Sequence, residues 1–328
     1  MSEKLRKIGV LTSGGDAPGM NAAIRAVVRC CSFNHITCVG IYRGYEGLIA
    51  ADFEELTARS VRNVINRGGT FLKSARSKEF MTPEGRKTAY QNLKKQEIDA
   101  LIVIGGDGTF TGAILLGEEH NFPIVGIPAT IDNDINGTDY TIGYDTALNT
   151  AVEAIDKIRD TASSHNRLFL VEVMGRDAGD IALNSGVGAG AEEILIPEEN
   201  NGVENLMESL RKSKKTGKTS SIIVVAEGEK SGKNIFELAE FIGENLKGYE
   251  IRVSVLGHIQ RGGSPSCFDR VLASKLGVGA VEALLRNESG IMLGITHKMV
   301  TSIDFETAVT GVRPLDTELR RVLNITSI

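Results

Sequence analysis

The chain has 328 residues, 41% of them hydrophobic, with 37 glycines, 7 prolines and a formal net charge of −5. This fits two compact domains of ordinary size rich in tight turns. It argues against a nucleic-acid surface, which would need a basic stripe, and against a membrane span, since no apolar run approaches ~20 residues.

The first seven residues carry no apolar leader, and Cys30, Cys31, Cys38 and Cys267 show no Cys-x-x-Cys pairing. A cytoplasmic protein with reduced, mostly buried thiols is expected. A strand over 8–12 runs into Thr12-Ser13-Gly14-Gly15-Asp16-Ala17-Pro18-Gly19, and a helix over about 18–32 is entered through Pro18. Free amides at such a helix start suit phosphate, although many α/β chains use the same turn only to reverse direction. A strand over 37–42 comes next. Strands over 100–104 and 124–127 then flank a helix near 111–119. A long helix over 146–163 opens a second series, with strands over 168–173, 193–196, 221–226 and 252–256 and helices including 203–214 and 235–246. This alternation predicts an α/β chain of two doubly wound, Rossmann-like, three-layer lobes with mostly parallel sheets. Ligands are expected at the carboxyl ends of strands, with the active site in the cleft.

Two strand ends carry the chemistry. Gly105-Gly106-Asp107-Gly108-Thr109 ends one apolar run, and Thr130-Ile131-Asp132-Asn133-Asp134 follows the next. Glycines at the first let backbone N–H groups reach phosphate oxygens, and Asp107 among them makes sense if a divalent cation sits between carboxylate and phosphates. Asp132 and Asp134 stand where a base and a metal or water ligand would be needed. The combination suggests phosphoryl transfer. If the ligands are anionic, positive charge must be gathered locally, and it is found at Arg25/Arg29, Arg159/Arg167/Arg176 and Arg252/His258/Arg261. Thr216-Gly217-Lys218-Thr219-Ser220 looks like the end of a Walker A loop, but Lys212 stands where that motif needs its first glycine, so a helix-to-strand turn is expected.

The downstream motifs resemble those of the bacterial ATP-dependent 6-phosphofructokinases. They include 11–25, Asn66-Arg67-Gly68-Gly69-Thr70 with Ser74-Ala75-Arg76, 105–109, 130–143, 159–165, 171–176, and Leu256-Gly257-His258-Ile259-Gln260-Arg261-Gly262-Gly263-Ser264-Pro265. The resemblance implies a kinase passing the γ-phosphate of ATP to the 1-hydroxyl of fructose 6-phosphate. Asp132 matches the base, Thr130 a group on the transferring phosphate, and Arg76 and Arg176 the stabilisers of its charge. Asp107 matches the Mg²⁺-associated carboxylate, with Asp134 acting through water. Gly15, Tyr45, Arg76, Ser77, Gly106, Asp107, Gly108 and Thr109 match nucleotide contacts, although Tyr45 equally fits an ordinary surface aromatic. Arg167, Arg252, His258 and Arg261 match the sugar-phosphate residues, with Thr130, Ile131, Met174, Gly175, Arg176 and Glu227 around the sugar. In the family, the equivalents of Arg167 and Arg252 reach a neighbouring subunit, which implies a homotetramer with shared sites.

The implied lobes are 1–142 plus 259–311 for ATP and 143–258 plus 312–328 for fructose 6-phosphate. Pyrophosphate-using relatives commonly carry Asp where this chain has Gly108 and Lys where it has Ala129, so ATP is favoured as donor over pyrophosphate. Ala129 itself departs from the glycine usual in ATP enzymes. A non-catalytic sugar-phosphate sensor would have no use for a base. Arg25, Arg29, Arg159, Glu192 and Lys218 match the family's site for ADP and phosphoenolpyruvate. Three further members are replaced by Ala58, Asn63 and Thr216, and a weakened effector site is expected.

Overall fold

The structure, a computed structural model, describes residues 5–165, 167–200, 202–215, 221–246, 250–311 and 313–327. They form two compact units, each assembled from separated stretches. Unit 1 takes the chain up to Ile131, then 135–146 and 261–313; unit 2 takes 132–134, 147–260 and the residues from Pro314 onward.

Unit 1 begins with β1 (Lys7–Thr12), α1 (Met20–Phe33), β2 (Thr37–Ile41), α2 (Gly44–Ala50), β3 (Phe53–Leu56), α3 (Pro83–Lys95), β4 (Ala100–Gly105), α4 (Asp107–His120) and β5 (Ile124–Pro128). The long α5 (Tyr144–His165) leads into unit 2, with β6 (Arg167–Val173), α6 (Asp180–Gly188), β7 (Glu193–Leu195), α7 (Gly202–Lys215), β8 (Ser221–Ala226), α8 (Ile235–Asn245) and β9 (Glu250–Val255). The chain returns to unit 1 for α9 (Cys267–Leu285), β10 (Ile291–Thr296), β11 (Met299–Asp304) and α10 (Phe305–Thr310), and α11 (Thr317–Thr326) belongs to unit 2.

The unit 1 sheet runs β11-β10-β5-β4-β1-β2-β3, parallel except for its two outer pairs; the unit 2 sheet runs β7-β8-β6-β9 and is parallel throughout. The expected α/β architecture with mostly parallel sheets is present. β4 and β8 are buried along their whole length, as strands covered on both faces must be, so they read as unbroken apolar runs. Unit 1 packs Leu11, Val103, Phe110 and Phe305 in its core, and unit 2 packs Leu170, Leu195, Ile223 and Leu238.

Several boundaries differ from expectation. α4 starts at Asp107, directly after the glycine turn, and α5 starts at Tyr144. The loop leading into α5 is held by Asp269 of α9, a fully buried carboxylate. It accepts from the Gly143 amide at 2.9 Å, the Thr146 amide at 2.8 Å and the Thr146 hydroxyl at 2.5 Å. In return Ser266, which caps α9, donates its hydroxyl to Asp145 at 2.5 Å and its amide to Thr146 Oγ1 at 2.9 Å. Cys30, Cys31 and Cys38 are buried and Cys267 is exposed. Among the described residues no helix is long and apolar enough to cross a membrane. The Walker-like segment 216–220 lies outside the described residues.

Candidate functional site

In unit 1 the side on which successive strands join the sheet reverses between β1 and β4. From β1 the next strand lies on one side, and β4 on the other. Ligands of doubly wound sheets bind at such a switch point. The two strands end in register, Thr12 beside Ile104, and the Ser13 amide donates to the Ile104 carbonyl at 3.0 Å. The turns after them, 13–19 and 105–109, therefore lie side by side, each feeding a helix N-terminus. Gly105 has to be glycine, because a Cβ there would sit 2.3 Å from Thr109 Oγ1 and 2.5 Å from the Ser13 carbonyl. Thr109 Oγ1 is buried with no hydrogen-bond partner among the described residues. Gly108 is the opposite case: a Cβ on it meets nothing within 4 Å, so the turn is open where a bulky acid would otherwise project.

Other expected residues belong to the same unit. Thr130 lies close to Gly106, and its carbonyl accepts from the Thr141 hydroxyl at 2.6 Å. Ile131 is fully buried. Arg76 is exposed and has no hydrogen bond or ion pair among the described residues, while the Ser77 hydroxyl accepts from the Phe80 amide at 3.2 Å. Tyr45 is not the ordinary surface aromatic that stood as the alternative to a nucleotide contact. It is 6% exposed, stacked on Phe80 at 3.9 Å, and donates its hydroxyl to the Thr109 carbonyl at 2.5 Å. It thus braces the first turn of α4 from the core side. Arg261, grouped by sequence with the sugar-phosphate residues, belongs to unit 1, where its guanidinium lies against Gly15 and donates weakly to the Asp16 carbonyl at 3.4 Å.

Unit 2 gathers a second set at the carboxyl end of β6, the strand between β8 and β9. Met174, Gly175 and Arg176 leave β6 in a tight turn, with φ of 146° at Gly175 and 56° at Arg176. Glu227, at the end of β8, holds that turn by accepting from the Gly175 amide at 3.3 Å and the Arg176 amide at 2.8 Å. The buried Gln260 accepts from the Met174 amide at 3.3 Å and donates to the Gly257 carbonyl at 3.0 Å, tying His258's turn to the same place. Burial, and then the neighbouring Glu227 charge, raise the Glu172 carboxyl above its ordinary range. Arg167 and Arg252 lie apart from this set, at the amino end of β6 and β9, where both bind Glu250, the first through its Nε at 3.0 Å and the second through its guanidinium tip. Hydrogen bonding from Arg167, ahead of Coulomb attraction, lowers the Glu250 carboxyl. Asp132 is 6% exposed and Asn133 fully buried; both are grouped with unit 2, as is Asp134. Gln260 escaped the sequence reading, although it lies inside a motif that reading quoted.

The expected effector residues fall in both units. Arg25 and Arg29 lie on α1, where burial and then Arg29's like charge lower the Arg25 pKa. Arg159 donates to the Ala189 carbonyl at 2.8 Å and the Gly190 carbonyl at 2.6 Å and lies 3.7 Å from Glu192. The Glu192 carboxylate accepts from the Ile222 amide at 2.5 Å. Lys218 lies outside the described residues. A depression of about 590 Å³ in unit 1, lined by Ile114, Phe122, Asp304 and Phe305 among others, sits at the opposite end of the sheet from the phosphate turns.

Paired glycine turns at a switch point, each opening a helix and one of them carrying Asp107, fit the class of α/β proteins that handle phosphate groups. The comparisons with known proteins narrow this class. The phosphofructokinase family model, described as "Phosphofructokinase", matches residues 7–284, and the chain belongs to that family. It is 54% identical over 327 residues to an ATP-dependent 6-phosphofructokinase of Macrococcus caseolyticus, covering 99% of this chain and 100% of the relative. It is 51% identical over 321 residues to ATP-dependent 6-phosphofructokinase 2 of Bacteroides thetaiotaomicron, covering 98% of each. Among solved structures it resembles a Pichia pastoris phosphofructokinase in the T-state, with a TM-score of 0.88 and 36% identity, covering 99% of this chain but only 38% of the longer one.

Proposed function

We propose that this chain is an ATP-dependent phosphotransferase that moves the γ-phosphate of ATP to the 1-hydroxyl of D-fructose 6-phosphate, giving fructose 1,6-bisphosphate and ADP. The observation that carries the reading is the side-by-side pair of phosphate turns at the ends of β1 and β4, with Asp107 in one of them. Asp132 follows the adjacent strand β5 in the chain.

Phosphoryl transfer needs positioning, charge neutralisation and an acceptor for the hydroxyl proton. Gly15, Ser77 and the amides of 106–109 hold the nucleotide phosphates, with Tyr45 supporting their turn. Asp132 takes the proton from the sugar hydroxyl, its burial keeping bulk water from competing. Thr130 donates to the transferring phosphate, and Arg76 and Arg176 face the charge that develops on it. His258 and Arg261, with Arg167 and Arg252 supplied from a neighbouring subunit, hold the 6-phosphate, where bidentate guanidinium contact is strong. Met174, Gly175, Ile131 and Glu227 enclose the sugar.

Mg²⁺, when bound, neutralises phosphate charge. The residues suit a shared cation rather than a protein cage. Among those described, no three His, Cys, Asp or Glu side chains gather at one point, and Mg²⁺ usually takes one or two carboxylates plus substrate phosphates and water. Asp107 would hold it directly and Asp134 through water. The open space at Gly108 favours a nucleotide over pyrophosphate as donor. The working form is a cytoplasmic homotetramer. In support, Arg167 and Arg252 meet at β9, an edge strand of the unit 2 sheet from which side chains can reach a partner.

Product formation from fructose 6-phosphate, measured with ATP and separately with pyrophosphate, tests the reading. Bisphosphate should form with ATP and Mg²⁺ alone. Turnover with pyrophosphate, or none with either donor, overturns it.

A further inference from the structure

Arg76, which the proposed reaction places at the transferring phosphate, has no side-chain partner among the described residues and stands exposed in a loop without regular structure. Its position must come from the backbone that carries it, and that backbone is anchored from both sides. After it, Arg86 of α3 grips the carbonyls of Phe80 at 3.0 Å and Met81 at 2.8 Å. Before it, the anchoring falls to two buried side chains next to the first phosphate turn. Asn21, 2% exposed in the first turn of α1, donates through Nδ2 to the carbonyls of Arg67 at 3.0 Å and Gly68 at 3.1 Å. Its Oδ1 accepts from the Phe71 amide at 2.8 Å. Thr12, fully buried at the end of β1, donates to the Lys73 carbonyl at 2.8 Å and pairs with the Thr70 hydroxyl at 2.9 Å. The segment has little slack, because Gly68 is so close to Gly263 that a Cβ would lie 2.2 Å from its carbonyl oxygen.

We infer that Asn21 and Thr12 are positioning residues for the transfer step. They fix the 67–73 backbone to the elements that flank the first phosphate turn and so set where Arg76 stands relative to the nucleotide phosphates. This rests on the role given above to Arg76. Satisfying two carbonyls and an amide of a loop 46 to 50 residues away is more than Asn21 needs for its own helix. A catalytic group displaced by about 1 Å can lose about 10²-fold in rate.

The test is a set of double-mutant cycles on kcat and KM in the full-length enzyme, combining Asn21→Ser and Thr12→Val separately with Arg76→Ala. Thr12→Val keeps the shape of its side chain and so guards against a simple folding defect in the asparagine variant. Arg76→Ala alone is expected to lower kcat by about 10²–10³-fold, the usual loss for one transition-state charge stabiliser. Asn21→Ser should lower kcat by about 10–100-fold, and Thr12→Val by about 10-fold, with KM for fructose 6-phosphate within about threefold of normal. In the Arg76→Ala background each should cost less than about threefold, because its effect runs through the missing arginine. Losses that multiply in a background where Arg76→Ala is itself damaging overturn the inference alone. An undiminished kcat in Arg76→Ala overturns the role of Arg76, and the inference with it.

Discussion

Replacing Asp269 with asparagine is expected to change how stability depends on pH. Burial pushes this carboxyl from its ordinary 3.8 up to about 6; its bonds to Thr146 and Gly143 oppose the rise, and the charge of Asp145 adds to it. The folded protein therefore keeps a proton that the unfolded chain gives up over that interval. The stability this group contributes is complete below pH 3.8 and is lost as pH rises through about 6. At about 1.4 kcal/mol per pH unit, the loss comes to about 3 kcal/mol. Asparagine has nearly the same size and no titration, so the difference in unfolding free energy between wild type and Asp269→Asn should shift by about that amount between pH 4 and 7, in the direction that favours wild type at the acid end. Urea unfolding at a series of pH values, followed by a probe in unit 1, measures it. A difference flat to within about 0.5 kcal/mol would refute the reasoning and mean that the three hydrogen bonds fully offset the burial cost.

Asp132→Asn should leave substrate binding near normal and lower turnover by about 10²–10⁴-fold, the usual worth of general base catalysis; a wild-type rate would remove Asp132 from that role. Gly108→Asp should fold normally, since its Cβ meets nothing within 4 Å. It should weaken ATP binding by about tenfold or more through like-charge repulsion, read by calorimetry. Phosphoenolpyruvate titrated at sub-saturating fructose 6-phosphate should inhibit only weakly. With Ala58 and Thr216 in place of two cations, phosphate contacts each worth about 1.5–3 kcal/mol are absent; strong inhibition at micromolar concentration would mean other residues replace them.

What was legible in the sequence followed from burial on both faces and from local turn chemistry. β1, β4, β5 and β8 announce themselves as unbroken apolar runs because helices cover both sides of them. β3 and β11 gave no such signal. They are antiparallel edge strands with exposed polar positions, and Phe53-Glu54-Glu55-Leu56 is neither an unbroken apolar run nor a strict alternation. α9 is apolar on nearly all sides and lacks the periodicity that marks a surface helix. α4 starts earlier than its sequence suggests because Asp107 and Gly108, weak helix formers, here serve the turn as well. Motif residues could be listed from sequence, but their supports could not. Asn21 reaches the 67–71 segment, Asp269 reaches Gly143, and Tyr45 hides its hydroxyl under Thr109, all of them contacts between residues far apart in the chain.

The way each unit draws on distant stretches governs how the protein can be made. α9 packs along α1, and β10 and β11 complete one side of the seven-stranded sheet, yet all three lie beyond the whole main stretch of unit 2. A nascent chain that has extruded β1 to β5 still carries one flank of α1 uncovered. Unit 2 in turn waits for α11, whose Arg320 binds Glu193 at 2.8 Å and Glu199 at 2.7 Å. Domains that fold one after another on the ribosome shield each half of a protein early. Here neither half is finished before the other is nearly complete, so the apolar side of α1 must survive most of translation without its partner helix.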